Sequence, residues 1–158
     1  MAEAEKEQLT TALKNAFPDL TSLLILFTCN RTELYFESVG TSASEVLEFL
    51  VKAMIGEVRQ EDLKDFSYSD RTEDSVHHLL SVSAGLESAV LGDAEIICQI
   101  RKAYHGALEK GLQGSQLERC MQTLFRCHKR VSNETRFRDG TTSTEFEPNH
   151  TYYEAGFY

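Results

Sequence analysis

Leu23-Leu24-Ile25-Leu26-Phe27 constrains this chain more than any other stretch, because it is an apolar run with no polar break. By composition it reads as a buried strand over residues 22–28. Residues 33–39 alternate around Leu34 and Phe36 and read as the next strand. Phe66-Ser67-Tyr68 reads as a third, short one with period-two alternation. Helical patterns surround these strands. Residues 8–17 place Leu9, Ala12, Leu13, Ala16 and Phe17 on one side before Pro18. Ser42 and Glu45 have the spacing of a capping box ahead of a helix that Gly56 closes.

The remainder is helical. Residues 72–83 carry Val76, Leu79, Leu80 and Val82. Residues 93–110 form a long amphipathic segment stopped by Gly111. Ser115 and Glu118 have the spacing of a second capping box, and the next helix buries Leu117, Cys120, Met121, Leu124, Phe125 and Val131. From about Asp139 no period remains, so residues 137–158 read as an irregular tail. The fold class expected is α+β: a small sheet with helices, then a helical half.

A chain of 158 residues with 41% hydrophobic and 26% charged residues suits one soluble domain. No apolar stretch approaches the ~20 residues that span a bilayer, and the acidic N-terminus lacks the pattern of a signal peptide. The cysteines at 29, 98, 120 and 127 form no CxxC pair and read as reduced thiols in a cytoplasmic setting. The net charge of −9 opposes nucleic-acid binding through the whole surface. The charge is uneven, however. Residues 115–138 hold six basic residues (Arg119, Arg126, Lys129, Arg130, Arg136, Arg138) against Glu118 and Glu134. This is either a solvated helix face or a contact for phosphates. Neither GxGxxG nor GxxxxGK occurs, so no dinucleotide or P-loop site is expected within the chain.

Cys29 ends the apolar run and is followed by Asn30 and Arg31. Such a cysteine is either a small buried hydrophobe or a nucleophile, and a neighbouring cation favours the thiolate that attacks. Thr28 and Asn30 add groups able to hold an amide, carboxylate or ester. His77 and His78 are adjacent and point in different directions on a helix. One of them is expected at the edge of the buried side, either as a satisfied boundary residue or as a base for Cys29. Cys120, Cys127 and His128 do not have the usual spacing of a metal set, and no metal is expected. Between Gly85 and Glu95, Ser88 and three carboxylates precede a helix N-terminus. They suit the helix dipole, and equally an ammonium group.

The run Thr28-Cys29-Asn30-Arg31-Thr32-Glu33-Leu34-Tyr35 resembles the cysteine motif of the glutamyl-tRNA reductase family. The block from His78 to Ile96, with Gln99 after it, resembles that family's histidine-to-substrate-loop block. Lys129-Arg130-Val131-Ser132-Asn133-Glu134-Thr135 resembles the basic helix end of its catalytic domain. The resemblance implies a ferredoxin-like antiparallel sheet with an appended helical part over residues 1–136. The family's first strand, with its Gly-Ile-Asn-His-like motif, is expected to be missing. It implies that Cys29 attacks the ester of glutamyl-tRNA and that NADPH reduces the thioester to glutamate-1-semialdehyde, the start of the five-carbon route to tetrapyrroles. His78 matches the activity-critical histidine. Thr28, Asn30, Arg31, Ser88, Asp93, Ala94, Glu95 and Gln99 match substrate contacts, while Arg126, Lys129 and Arg130 are expected tRNA contacts. The family's Gly-Glu-Pro-Gln run stands here as Gly92-Asp93-Ala94-Glu95. NADPH binding and homodimerisation are expected from domains outside this chain, with no membrane involved. The alternatives are a catalytically silent tRNA- or protein-binding module, and a thiol esterase using Cys29 and His78.

Overall fold

The structure is a computed structural model that describes residues 3–28, 31–56, 59, 62–88 and 95–135. The apolar run forms strand β1 (Ser22–Phe27). It pairs antiparallel with β2 (Thr32–Glu37), with Ser22 opposite Glu37 and Phe27 opposite Thr32. Five helices accompany this hairpin among the described residues: α1 (Glu3–Ala16), α2 (Ala43–Ile55), α3 (Thr72–Ala84), α4 (Glu95–Glu109) and α5 (Ser115–Glu134). The α+β class holds, with a small antiparallel sheet and a helical part. The irregular tail expected over residues 137–158 lies outside the described residues. No helix among the described residues is long and apolar enough to cross a membrane.

Side chains alternate across a strand, so each face of the hairpin takes its own core. Leu24, Leu26 and Tyr35 pack with Leu79 and Val82 of α3, Ile97 and Ile100 of α4, and Leu117, Met121 and Leu124 of α5. Leu23, Leu34 and Phe36 pack on the other face with Leu13 of α1 and Val46 and Leu50 of α2. Both faces of β2 are therefore covered, and Glu33 and Glu37 are buried along with Tyr35. A polar alternation in a strand does not prove a wet face when helices pack on both sides.

Three expectations change. Phe66-Ser67-Tyr68 is not a strand. A short 3-10 turn (Asp62–Asp65) precedes it, Phe66 N–H donates back to the Leu63 carbonyl (3.3 Å), and Tyr68 is half exposed. Alternation makes a strand only where a neighbouring edge bonds it, and the sheet among the described residues is the β1–β2 hairpin alone. Helix α1 starts at Glu3, upstream of the expected residue 8, because its first turns are polar helix formers without apolar period.

The box at Ser42 and Glu45 forms, with both reciprocal bonds. The box at Ser115 and Glu118 does not. Gly114 is the N-cap of α5 and supplies no side chain. Instead Leu117 N–H donates to Glu37 Oε1 from β2 (2.5 Å). Gly114 sits at φ +46°, and a Cβ there would lie 2.6 Å from Ser22 Cβ and 2.7 Å from Glu37 Oε1. Only glycine lets α5 start this close to the sheet.

Candidate active site

The β1–β2 connection is pinned at its two ends. Thr28 N–H donates to the Arg31 carbonyl (2.9 Å), and Arg31 N–H donates to Thr28 Oγ1 (3.0 Å). Cys29 and Asn30, the residues between, lie outside the described residues, as do Asp93 and Ala94.

Residues 31, 33 and 35 share a face by strand period. Glu33 Oε1 accepts from Arg31 Nη1 (3.2 Å) and pairs with His78 Nε2 (3.2 Å), while Glu33 Oε2 accepts from the Tyr35 hydroxyl (2.8 Å). A fully buried glutamate survives only when paired in this way. Burial is the largest single influence on Glu33 and raises its pKa. The hydrogen bond and charge of His78, the Tyr35 hydroxyl and the Arg31 charge together outweigh it, so the carboxyl stays ionised below the ordinary glutamate range.

With Glu33 ionised, Nε2 is the His78 nitrogen that bears a hydrogen toward it in either charge state of the ring, so the exchangeable site is Nδ1. Of the adjacent histidines, His78 faces Glu33 and His77 is exposed.

Arg31 has a second anchor, since Nη2 donates to the Glu87 carbonyl. That carbonyl reaches it because α3 ends at Gly85 in the left-handed region (φ +77°), where Gly85 N–H bonds the Ser81 and Val82 carbonyls and the chain reverses. Ser88 lies in the same turn, half-buried, its N–H on the Gly85 carbonyl (3.4 Å). Thr28, Arg31, His78 and the Ser88 turn are thus tied together through Glu33 and Glu87.

Glu95 opens α4, and Gln99 stands one turn on along the same face. Gln99 lines a cavity of about 600 Å³ together with Thr28. Arg126, Lys129 and Arg130 are exposed on α5. Arg126 bonds the Gln122 carbonyl and Thr123 Oγ1, and Arg130 pairs with Glu134 (3.2 Å), so both guanidinium groups are engaged within their own helix. Burial pushes the Cys120 thiol up to about 11, which keeps it protonated and inert. Among the described residues no group of three or more His, Cys, Asp or Glu could hold a metal ion.

The family model for "Glutamyl-tRNAGlu reductase, N-terminal domain" matches residues 1–135. The chain belongs to this family. The glutamyl-tRNA reductase of Cytophaga hutchinsonii is 38% identical over 146 residues, covering 91% of this chain and 34% of that protein. Those of Halorhodospira halophila and Pseudomonas fluorescens are 34% and 36% identical, covering 92% and 89% of this chain. The chain therefore spans about a third of the length of the glutamyl-tRNA reductases it matches. No solved structure matches it.

The sequence pattern alone assigns no role to Glu33, Tyr35 or the Glu87 carbonyl of this glutamyl-tRNA reductase domain. The signal that marks the first two is Arg31, Glu33 and Tyr35 at period two inside an otherwise apolar hairpin.

Proposed function

We propose that residues 1–136 are the acyl-accepting domain of a glutamyl-tRNA reductase, with Cys29 as the nucleophile. The observation that carries this reading is the pairing of Arg31 and His78 on one buried carboxylate, Glu33, in the strand that leads away from Cys29. The Cys29 sulfur attacks the carbonyl carbon of the ester joining glutamate to the terminal ribose. A carbon–sulfur bond forms, the ester carbon–oxygen bond breaks, and the tRNA leaves with a free hydroxyl. His78 holds its Nε2 hydrogen on Glu33, so Nδ1 is the atom that takes the thiol proton and returns it to the departing ribose oxygen. Arg31 commits one amino group to Glu33 and one to Glu87. Its remaining donors suit the glutamate side-chain carboxylate. Thr28, Asn30, Ser88, Asp93, Ala94, Glu95 and Gln99, which match the family's substrate contacts, are assigned to binding the amino acid.

Reduction of the thioester to glutamate-1-semialdehyde needs a hydride from NADPH. These residues do not fit that cofactor: the sheet is an antiparallel hairpin rather than a strand–helix–strand crevice, and the sequence has no glycine fingerprint. NADPH binding therefore falls to another part of the parent enzyme. The reduced thiol that this chemistry requires suits the cytoplasm.

The test is incubation of the purified chain with glutamyl-tRNA carrying labelled glutamate, followed by peptide mapping. Label on the Cys29 peptide that hydroxylamine removes, and that Cys29→Ser abolishes, is the expected result. Label retained in Cys29→Ser would end the reading.

A further inference from the structure

The Tyr35 ring is fully buried in the core that holds Leu24 and Leu26 of β1, Ile97 and Ile100 of α4, and Leu117 and Met121 of α5. Those neighbours are aliphatic, and phenylalanine would fill the same space. What tyrosine adds is a hydroxyl, which inside a core must find a partner. It donates to Glu33 Oε2 at 2.8 Å, two positions back on its own strand.

The two oxygens of Glu33 are divided by charge. Oε1 meets Arg31 Nη1 and His78 Nε2, each at 3.2 Å, while Oε2 takes the neutral hydroxyl. A carboxylate turns readily about its last bond. The shortest of the three contacts fixes that rotation from a ring the core immobilises, and so aims Oε1 at both cations.

The hydroxyl also acts on charge. A hydrogen bond to the ionised form of an acid favours that form, and Tyr35 helps to hold Glu33 ionised against its burial. Without the bond, the carboxylate draws harder on the proton it shares with His78. Whichever partner holds that proton, the pair keeps it to higher pH. Among the described residues, Arg31 from β2 and His78 from α3 are the charged groups on Glu33. The core around the ring adds Tyr104 of α4 and Cys120 of α5. Burial raises the pKa of both, with the Glu118 charge adding to it at Tyr104, so both stay neutral.

We propose that Tyr35 is a positioning residue for acyl transfer, acting through Glu33 to set the pH at which His78 becomes available as a base. The proposal deepens the acyl-transfer reading and rests on it.

The test is a pH titration of the His78 ring by NMR in the 158-residue chain, with the signal assigned by its loss in His78→Gln. Tyr35→Phe keeps the ring and removes the hydroxyl, and the His78 midpoint is expected to rise by about one pH unit. Glu33→Gln removes the charge and should lower the midpoint. Tyr35→Phe also takes a partner from a buried carboxylate and can fail to fold, so 3-fluorotyrosine at position 35 is the second probe. Its more acidic hydroxyl bonds Oε2 more strongly, and the midpoint should move down, opposite to Tyr35→Phe. The acid limb of single-turnover glutamate transfer to Cys29 should follow the same two directions.

A Tyr35→Phe midpoint at or below that of the unaltered chain, or an upward shift with 3-fluorotyrosine, would overturn the proposal. So would a transfer rate that drops by one factor at every pH, which is what a merely structural tyrosine gives. Absence of label on Cys29 in the unaltered chain would sink acyl transfer, and the His78 titration, which needs no substrate, would still judge Tyr35. Label on Cys29 with unmoved His78 midpoints would do the reverse.

Discussion

Glu33 and Glu37 lie on the same strand, on the same face, and both are buried, yet they do different work. Glu37 gives its carboxylate to a backbone N–H, that of Leu117 at the start of α5. Its role is structural, since it satisfies an orphan donor and places negative charge at a helix N-terminus. Glu33 gives its carboxylate to Arg31, His78 and Tyr35, side chains that carry or exchange protons and charge. A buried acid is therefore not informative by burial alone. Its partners decide whether it builds the fold or prepares a site.

The widest separation is expected in acyl transfer. Glu33→Gln keeps the shape and removes the charge that orients Arg31 and His78. Single-turnover transfer of glutamate to Cys29 should fall about 100-fold, the low end of what a positioned acid–base group contributes. Glu37→Gln should leave that rate within about twofold. Equal rates in the two variants would erase the distinction.

Stability should show the opposite emphasis. Gly114→Ala forces a Cβ against Ser22 and Glu37 at positive φ, and urea unfolding should register a loss of about 2–3 kcal/mol. Glu37→Gln weakens a charged cap and should cost about 1–2 kcal/mol in the same measurement, with acyl transfer intact in the folded fraction.

The hairpin, the Ser42 cap, and the choice between buried and wet faces of α4 and α5 were legible in the sequence, because each is a local pattern. Glu33 was not. A polar side chain at every second strand position reads as a solvent face until helices are known to cover it, and His78 lies 45 positions away. The unformed Ser115 box has the same cause. Glu37, 80 positions upstream, satisfies the α5 N-terminus through space, and Gly114 rather than Ser115 takes the cap. Phe66–Tyr68 shows the limit from the other side, since alternation without a partner edge stayed coil.

The smallest expected effect is in pH dependence. Glu33 has its folded pKa lowered from 4.5, so its contribution to stability is present above that value and is lost as pH falls through the lowered folded one. Urea midpoints should therefore drop less steeply on acidification in Glu33→Gln than in the unaltered chain. Parallel acid limbs would show that the carboxylate is not held ionised.

The most direct measurement follows labelled glutamate from tRNA onto Cys29 in a single turnover, with Glu33→Gln and Glu37→Gln run beside the unaltered chain. The account predicts a hydroxylamine-labile label on the Cys29 peptide, formed about 100-fold more slowly in Glu33→Gln and at an unchanged rate in Glu37→Gln. Label on another residue, or the same rate in both variants, would contradict it.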